Sequence, residues 1–201
     1  MKKFELTSEF ITNIFGTKLF RIKALIEFGN VKAGELGGFV EKEENLSQDG
    51  NAWVYDSARV YDNARVCGNA WVYGNARVHG NAWVYGNARV YDNARVCGDA
   101  RVYDNACVCG DACVYGDARV CGDACVYGDA GYATVHGFGS EYRTTTFFKT
   151  KAGDIGVKCG CFYGNLSEFR KKVVETHGET KKAKEYLMLA DLMEFRFSDN
   201  S

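Results

Sequence analysis

From Gly50 to Tyr127 the chain places one large aliphatic residue at every sixth position and an alanine two residues before it, with polar or aromatic residues between. The valines run from Val54, Val60 and Val66 to Val126, and the alanines from Ala52 to Ala124. Together they mark thirteen consecutive hexads of the form Gly/Asp, Asn/Asp/Ser, Ala, x, Val, Tyr/Cys/His. A helix cannot gather residues six apart on one face, because six steps of about 100° leave them offset by most of a half-turn. A strand of about three residues followed by a corner can. Each hexad therefore predicts one short strand, with Val inward and its two neighbours outward. Gly or Asp followed by Asn or Asp supplies the corner, because these residues tolerate positive φ, and Ala fits beneath it.

A fourteenth hexad, GDAGYA from Gly128, keeps the turn and the Ala but loses the Val, which ends the array. End coils would expose apolar core and unpaired strand edges, so both flanks are expected to be caps. On the N-terminal side TKLFRIKALIEF reads as a strand, and Val40 and Leu46 keep hexad spacing before the register slips near Gln48. On the other side YRTTTFFKT and IGVKCGCFYG read as two strands joined by a turn at 151–154. A helix is predicted from Asn165 or Ser167 to Gly178, and a second from about Thr180 to Phe195 with Ala183, Tyr186, Leu187, Ala190, Leu192 and Met193 on its apolar face. The expected division is 1–49 N-terminal cap and first irregular coil, 50–139 repeat array, and 140–201 C-terminal cap.

Read from Val, the unit V-Y-G-N-A-R resembles the hexapeptide repeat of left-handed parallel β-helices. That resemblance implies an all-β fold in which three hexads make a triangular coil of 18 residues, with coils stacked about 4.8 Å apart, closed by a small α+β C-terminal cap. The stretches FGNVKAGELGGFV and NLSQDGNAWVYD resemble the opening of enterobacterial hexapeptide-repeat proteins classed as transferases. The tail, TTTFFKT followed by GCFYGNLSEF, is similar to that of uncharacterised solenoid proteins of bacteriophages and gut bacteria.

Composition narrows the setting. A formal net charge of −1 gives no global pull toward nucleic acid or anionic membrane. No apolar run approaches the roughly 18 to 20 residues that cross a bilayer. The polar residues Glu5, Thr7, Ser8 and Glu9 interrupt any signal-peptide core, so the expected location is cytoplasmic. Of nine cysteines, Cys67, Cys97, Cys107, Cys109, Cys113, Cys121 and Cys125 occupy two repeat slots that other residues fill elsewhere, as expected of a reduced protein.

Stacking at 18 residues gives the outward slots meaning. One face carries Trp53, Trp71, Arg89, Cys107 and Cys125 beside Tyr55, Tyr73, Tyr91, Cys109 and Tyr127. A second carries Arg59, Arg77, Arg95 and Cys113 beside Tyr61, His79, Cys97 and Tyr115. The third carries Arg65, Trp83, Arg101 and Arg119 beside Cys67, Tyr85, Tyr103 and Cys121. Such residues also suit outward strand positions for structural reasons alone. As a contact surface, Trp53, Trp71, Tyr55, Tyr73 and Tyr91 are the expected self-association patch. Arg59, Arg77 and Arg95 form the best phosphate clamp, with Tyr61 or His79 stacking on a base. Residues 50–139 hold seven Arg, nine Asp and no Lys, which argues against a general DNA-binding surface.

Acyl transfer is the rival, because hexapeptide β-helices resemble acyltransferases that use a histidine base. His79 takes an ordinary outward slot, His136 lies just past the array, His177 ends a cap helix, and no loop interrupts the hexads. Stacked Asp99 and Asp117, or Asp111 and Asp129, are candidate calcium ligands, and Cys107, Cys109 and Cys125 lack a fourth zinc ligand. The basic run Arg170 to Lys184 reads as the solvated side of the cap helices or a docking site for an acidic partner. The expectation is a non-catalytic, self-associating solenoid with no cofactor and no metal. Its expected partner is a nucleotide-like small molecule or a host protein, in a counter-defence role implied by the phage resemblance. A structural spacer is the third reading.

Overall fold

The computed structural model describes residues 2–139 and 144–198. Three strands open the chain: β1 (Phe4–Thr12), β2 (Lys18–Ala24) and β3 (Leu36–Val40). Thirteen repeat strands, β4 to β16, then follow every six residues from Trp53–Val54 to Cys125–Tyr127. Each pairs in parallel with the strand 18 residues away, Val54 with Val72, Val60 with Val78 and Val66 with Val84. Three hexads therefore close one three-faced coil, and the protein is a hexapeptide-repeat β-solenoid. Every Val and Ala of the array from Ala52 to Val126 is fully buried in one continuous core.

The corners explain the hexad's first two residues. Its first position has φ between 52° and 73° in the array, and is Gly or one of Asp56, Asp62, Asp92 and Asp104. A left-handed residue with a Cβ costs on the order of 1 kcal/mol. The aspartates offset this by accepting the backbone N–H one coil on, from Gly74, Gly80, Gly110 and Gly122 respectively. In each column Asp thus stacks on Gly and never on Asp. The second position builds ladders: Asn51 donates to Asn69, Asn69 to Asn87 and Asn87 to Asn105 at 3.1–3.2 Å. The other two ladders end where Asn81 donates to Asp99 and Asn93 to Asp111, because a carboxylate accepts and cannot pass the bond on.

The N-terminal cap adds its three strands to one face. β1 and β2 form an antiparallel hairpin, β2 pairs with β3, and β3 runs parallel to Arg59–Val60, which makes a seven-stranded sheet. The expected register slip is present: Val40 pairs with Val60 and Leu46 bridges Val66, a first coil of 20 residues. The longer corner is pinned by Gln48, whose Oε1 accepts from the backbone N of Lys3 and Phe4. The buried Lys3 ammonium donates to the carbonyls of Gly50 and Ala52. Burial pulls its pKa down to about 8, against an opposing pull from Asp49.

The C-terminal cap is a four-stranded antiparallel sheet, β17 (Tyr132–Val135), β18 (Thr145–Lys149), β19 (Ile155–Cys159) and β20 (Phe162–Asn165), covered by α1 (Leu166–His177) and α2 (Lys181–Phe197). Asn165 and Glu168 form a capping box at α1, and Thr180 caps α2. β17, a short edge strand, was not anticipated, and the expected strand IGVKCGCFYG divides at a turn containing Gly160 into β19 and β20. No helix among the described residues is long and apolar enough to cross a membrane.

Candidate functional site

The three faces share a core and differ outside. On the seven-stranded sheet, Arg59 pairs in register with Arg77 and Arg77 with Arg95, which puts three guanidinium groups on adjacent strands. We call this the Arg face. Among the described residues none of the three makes an ion pair. The nearby corner aspartates Asp56, Asp62 and Asp92 accept from backbone N–H groups of the next coil. The column beside them is stacked: Tyr61 and His79 lie with ring centroids 4.9 Å apart and planes 2° from parallel.

Tyr61 corrects an expectation. It is only 8% exposed, packed by Leu19 and Phe39 from the N-terminal cap and faced by His79, so it cannot stack on a ligand's base. Burial raises its hydroxyl pKa. His79 is half-buried, with Nδ1 3.9 Å from an Asp62 carboxylate oxygen. Burial lowers its pKa and outweighs Asp62, while Arg77 and Arg95 add to the lowering.

Trp53 corrects another. It points away from the array core, as an x-slot residue should, yet has no exposed surface because Phe4 and Phe28 close over it edge-on. The hairpin makes an end-coil surface residue into core. The rest of that expected patch, Tyr55, Trp71, Tyr73 and Tyr91, is half-buried by its own contacts. Tyr55 packs edge-on to Trp71, Arg89 sits 5.4 Å from the Trp71 ring, and Tyr73 stacks on Tyr91 at 4.8 Å.

On the third face the arginines are interrupted. Arg65 and Arg101 lie on either side of Trp83 in the strand order, each 5.6 Å from its ring, and Tyr85 stacks on Tyr103 at 4.9 Å. No group of three or more metal-ligating side chains occurs among the described residues. Cys107 and Cys125 are in register, Asp99 and Asp111 take ladder bonds, and the Asp129 side chain lies outside the described residues. His136 is exposed with Nδ1 3.1 Å from the Thr144 hydroxyl. His177 stacks on Tyr186 within the cap. In the basic run, Arg170 bonds both Asp191 and Glu194, which ties α1 to α2.

One feature of the Arg face escaped the sequence. Its last strand, Cys113–Val114, is not followed by another coil; the Tyr132 hydroxyl donates to the Cys113 carbonyl and accepts from the Tyr115 N–H. Tyr132 occupies the Val slot of the fourteenth hexad, and that departure from Val was the available signal. Between this strand and the cap lies a groove of about 540 Å³ lined by Cys113, Tyr115, Tyr132, Thr134, Met193 and Arg196, among others.

Comparison with known proteins agrees with this architecture. Residues 58–73, 70–86, 82–98 and 94–110 each match the family model described as the YdcK beta solenoid repeat. A 63-residue stretch is 40% identical to a protein of Escherichia coli (strain K12) named uncharacterized acetyltransferase YdcK. That alignment covers 28% of this chain and 19% of the relative's length.

Proposed function

We propose that the protein is a non-catalytic binding solenoid whose Arg face takes a phosphate-bearing ligand. The observation that supports this is the uninterrupted column Arg59, Arg77 and Arg95 without ion-pair partners among the described residues. Adjacent strands lie about 4.8 Å apart. Like charges at that spacing repel, and bridging phosphate oxygens would relieve the repulsion. Within the same proposal Tyr55, Trp71, Tyr73 and Tyr91 carry self-association, and Trp53 takes no part. The biological use proposed is counter-defence, by sequestering a nucleotide-like signal or masking a host protein, which the phage-like tail supports.

The test is calorimetric titration with inorganic triphosphate. Replacing Arg59, Arg77 and Arg95 together by Gln should weaken binding by at least about tenfold. The matched triple change at Arg65, Arg101 and Arg119 alters net charge equally and should have little effect. Equal losses from both, or no saturable binding by the wild type, would overturn the proposal.

A second reading, acetyl transfer, is favoured by the named relative and by the His79–Asp62 pair. It requires acetyl-coenzyme A turnover that His79→Gln or His136→Gln abolishes.

A further inference from the structure

The C-terminal edge of the Arg face meets a groove of about 540 Å³, against about 380 Å³ beside Asp123 and Lys151 at the five-stranded face and about 180 Å³ beside Arg119 at the third. On the five-stranded face the edge is closed by the cap: Ala124 bridges Thr150, and the Lys151 N–H donates to the Asp123 carbonyl. On the third face the Arg119 N–H donates to the Thr146 hydroxyl, and β18 packs beside that strand. On the Arg face the Tyr132 hydroxyl meets the edge, donating to the Cys113 carbonyl and accepting from the Tyr115 N–H. Tyr115, next in the column after Tyr61, His79 and Cys97, is left 60% exposed there with Tyr132 edge-on at 6.4 Å.

The groove begins at Cys113, one strand beyond Arg95 and in register with it. The strand that carries the end of the guanidinium column therefore lies about 4.8 Å from the strand that carries the groove's first residue. Its volume of about 540 Å³ falls within the range of small-molecule sites. Its walls are aromatic and apolar at Tyr115, Tyr132 and Met193, with Thr134 and the Arg196 guanidinium as polar groups. Among the described residues no carboxylate lines it. A cationic column running into a half-apolar, aromatic-walled groove of one cationic charge suits a ligand with phosphates at one end and a planar ring at the other.

We infer that the groove is the base subsite of a nucleoside-phosphate site, with the phosphates on Arg77 and Arg95 and the base against Tyr115. This rests on the phosphate-binding reading of the Arg face and adds a residue set to it. Tyr115 replaces Tyr61 as the ring that meets the base. Arg196 faces the base edge, where guanidinium donors meet ring nitrogens and carbonyls.

The experiment compares ADP with inorganic pyrophosphate by calorimetry on the full chain. The wild type should bind ADP about tenfold more tightly than pyrophosphate, as one base–aromatic contact provides. Tyr115→Ala should erase that advantage and leave pyrophosphate affinity unchanged, and Arg196→Gln should reduce it. A melting temperature close to wild type for Tyr115→Ala establishes that the fold is intact, as its exposure predicts. If ADP binds no better than pyrophosphate, or Tyr115→Ala leaves the ratio intact, the subsite is overturned while the Arg column stands. If neither probe binds, both the subsite and the phosphate-binding reading fall.

Discussion

The Arg face and the Trp83 face grow from the same hexad and differ in how their arginine columns are filled. On the Trp83 face Arg65 and Arg101 each lie 5.6 Å from the ring between them, so the fold supplies its own partner for both charges. On the Arg face no aromatic separates Arg59, Arg77 and Arg95, and the rings of Tyr61 and His79 stack on each other one column away. One face gives a ring to two of its three arginines, Arg65 and Arg101; among the described residues the other gives none of its three a ring or an ion pair. A repeat therefore makes function by where it departs from uniformity, since the shared core says nothing about either face.

The comparison requires that both faces rest on equivalent core, and this gives the largest expected effect. Val78 on the Arg face and Val84 on the Trp83 face are both fully buried at paired strand positions. Truncating either to Ala removes two carbon groups and leaves a void, so each should cost about 2–3 kcal/mol in urea unfolding. Costs that differ by more than about 1 kcal/mol would show that outward contacts reach into the core and that the faces cannot be compared as surfaces.

A smaller effect tests the surfaces themselves. Trp83→Ala removes two cation–π contacts from a ring only 39% exposed and should destabilise by about 1–2 kcal/mol. Arg77→Gln removes a charge flanked by two like charges and should be neutral or stabilising by up to about 0.5 kcal/mol, more so at low salt. Thermal unfolding at two ionic strengths checks both. Destabilisation by Arg77→Gln on the scale of Trp83→Ala would mean that the column is already neutralised within the fold.

Much of this was legible in the chain. Period six, with Val and Ala at fixed offsets, is enough to place every repeat strand, and stacking at 18 predicts which side chains share a column. The slip at Gln48 and the caps of both C-terminal helices could also be read locally. What the sequence hid depends on elements distant in the chain. Trp53 and Tyr61 follow the repeat rule for outward slots, yet hairpin and β3 residues bury them. Columns within the array say nothing about what the ends cover. The groove at Tyr115 was hidden for the same reason, because its far wall comes from α2, some 80 residues later. The hydrogen bonds of Asp56 and Asp92 to the next coil become visible only when φ and register are both known.

The smallest effect is a pH dependence confined to the Arg face. His79 has its pKa lowered by burial and by Arg77 and Arg95, so the folded chain binds a proton there less readily than the unfolded chain. Its contribution to stability is complete above the unfolded value of about 6.5 and is lost as pH falls below it. The wild type should therefore lose stability relative to His79→Phe between about pH 7 and pH 5. A phenyl ring keeps the stack on Tyr61 without the titrating group. Filling the column with triphosphate at low pH should reverse the sign of part of this effect. Bound phosphates neutralise Arg77 and Arg95, remove two of the causes that lower the His79 pKa, and add an anion that favours the imidazolium. If the difference between wild type and His79→Phe is the same with and without triphosphate, the ligand does not sit beside His79, and the distinction between the two faces loses its functional meaning.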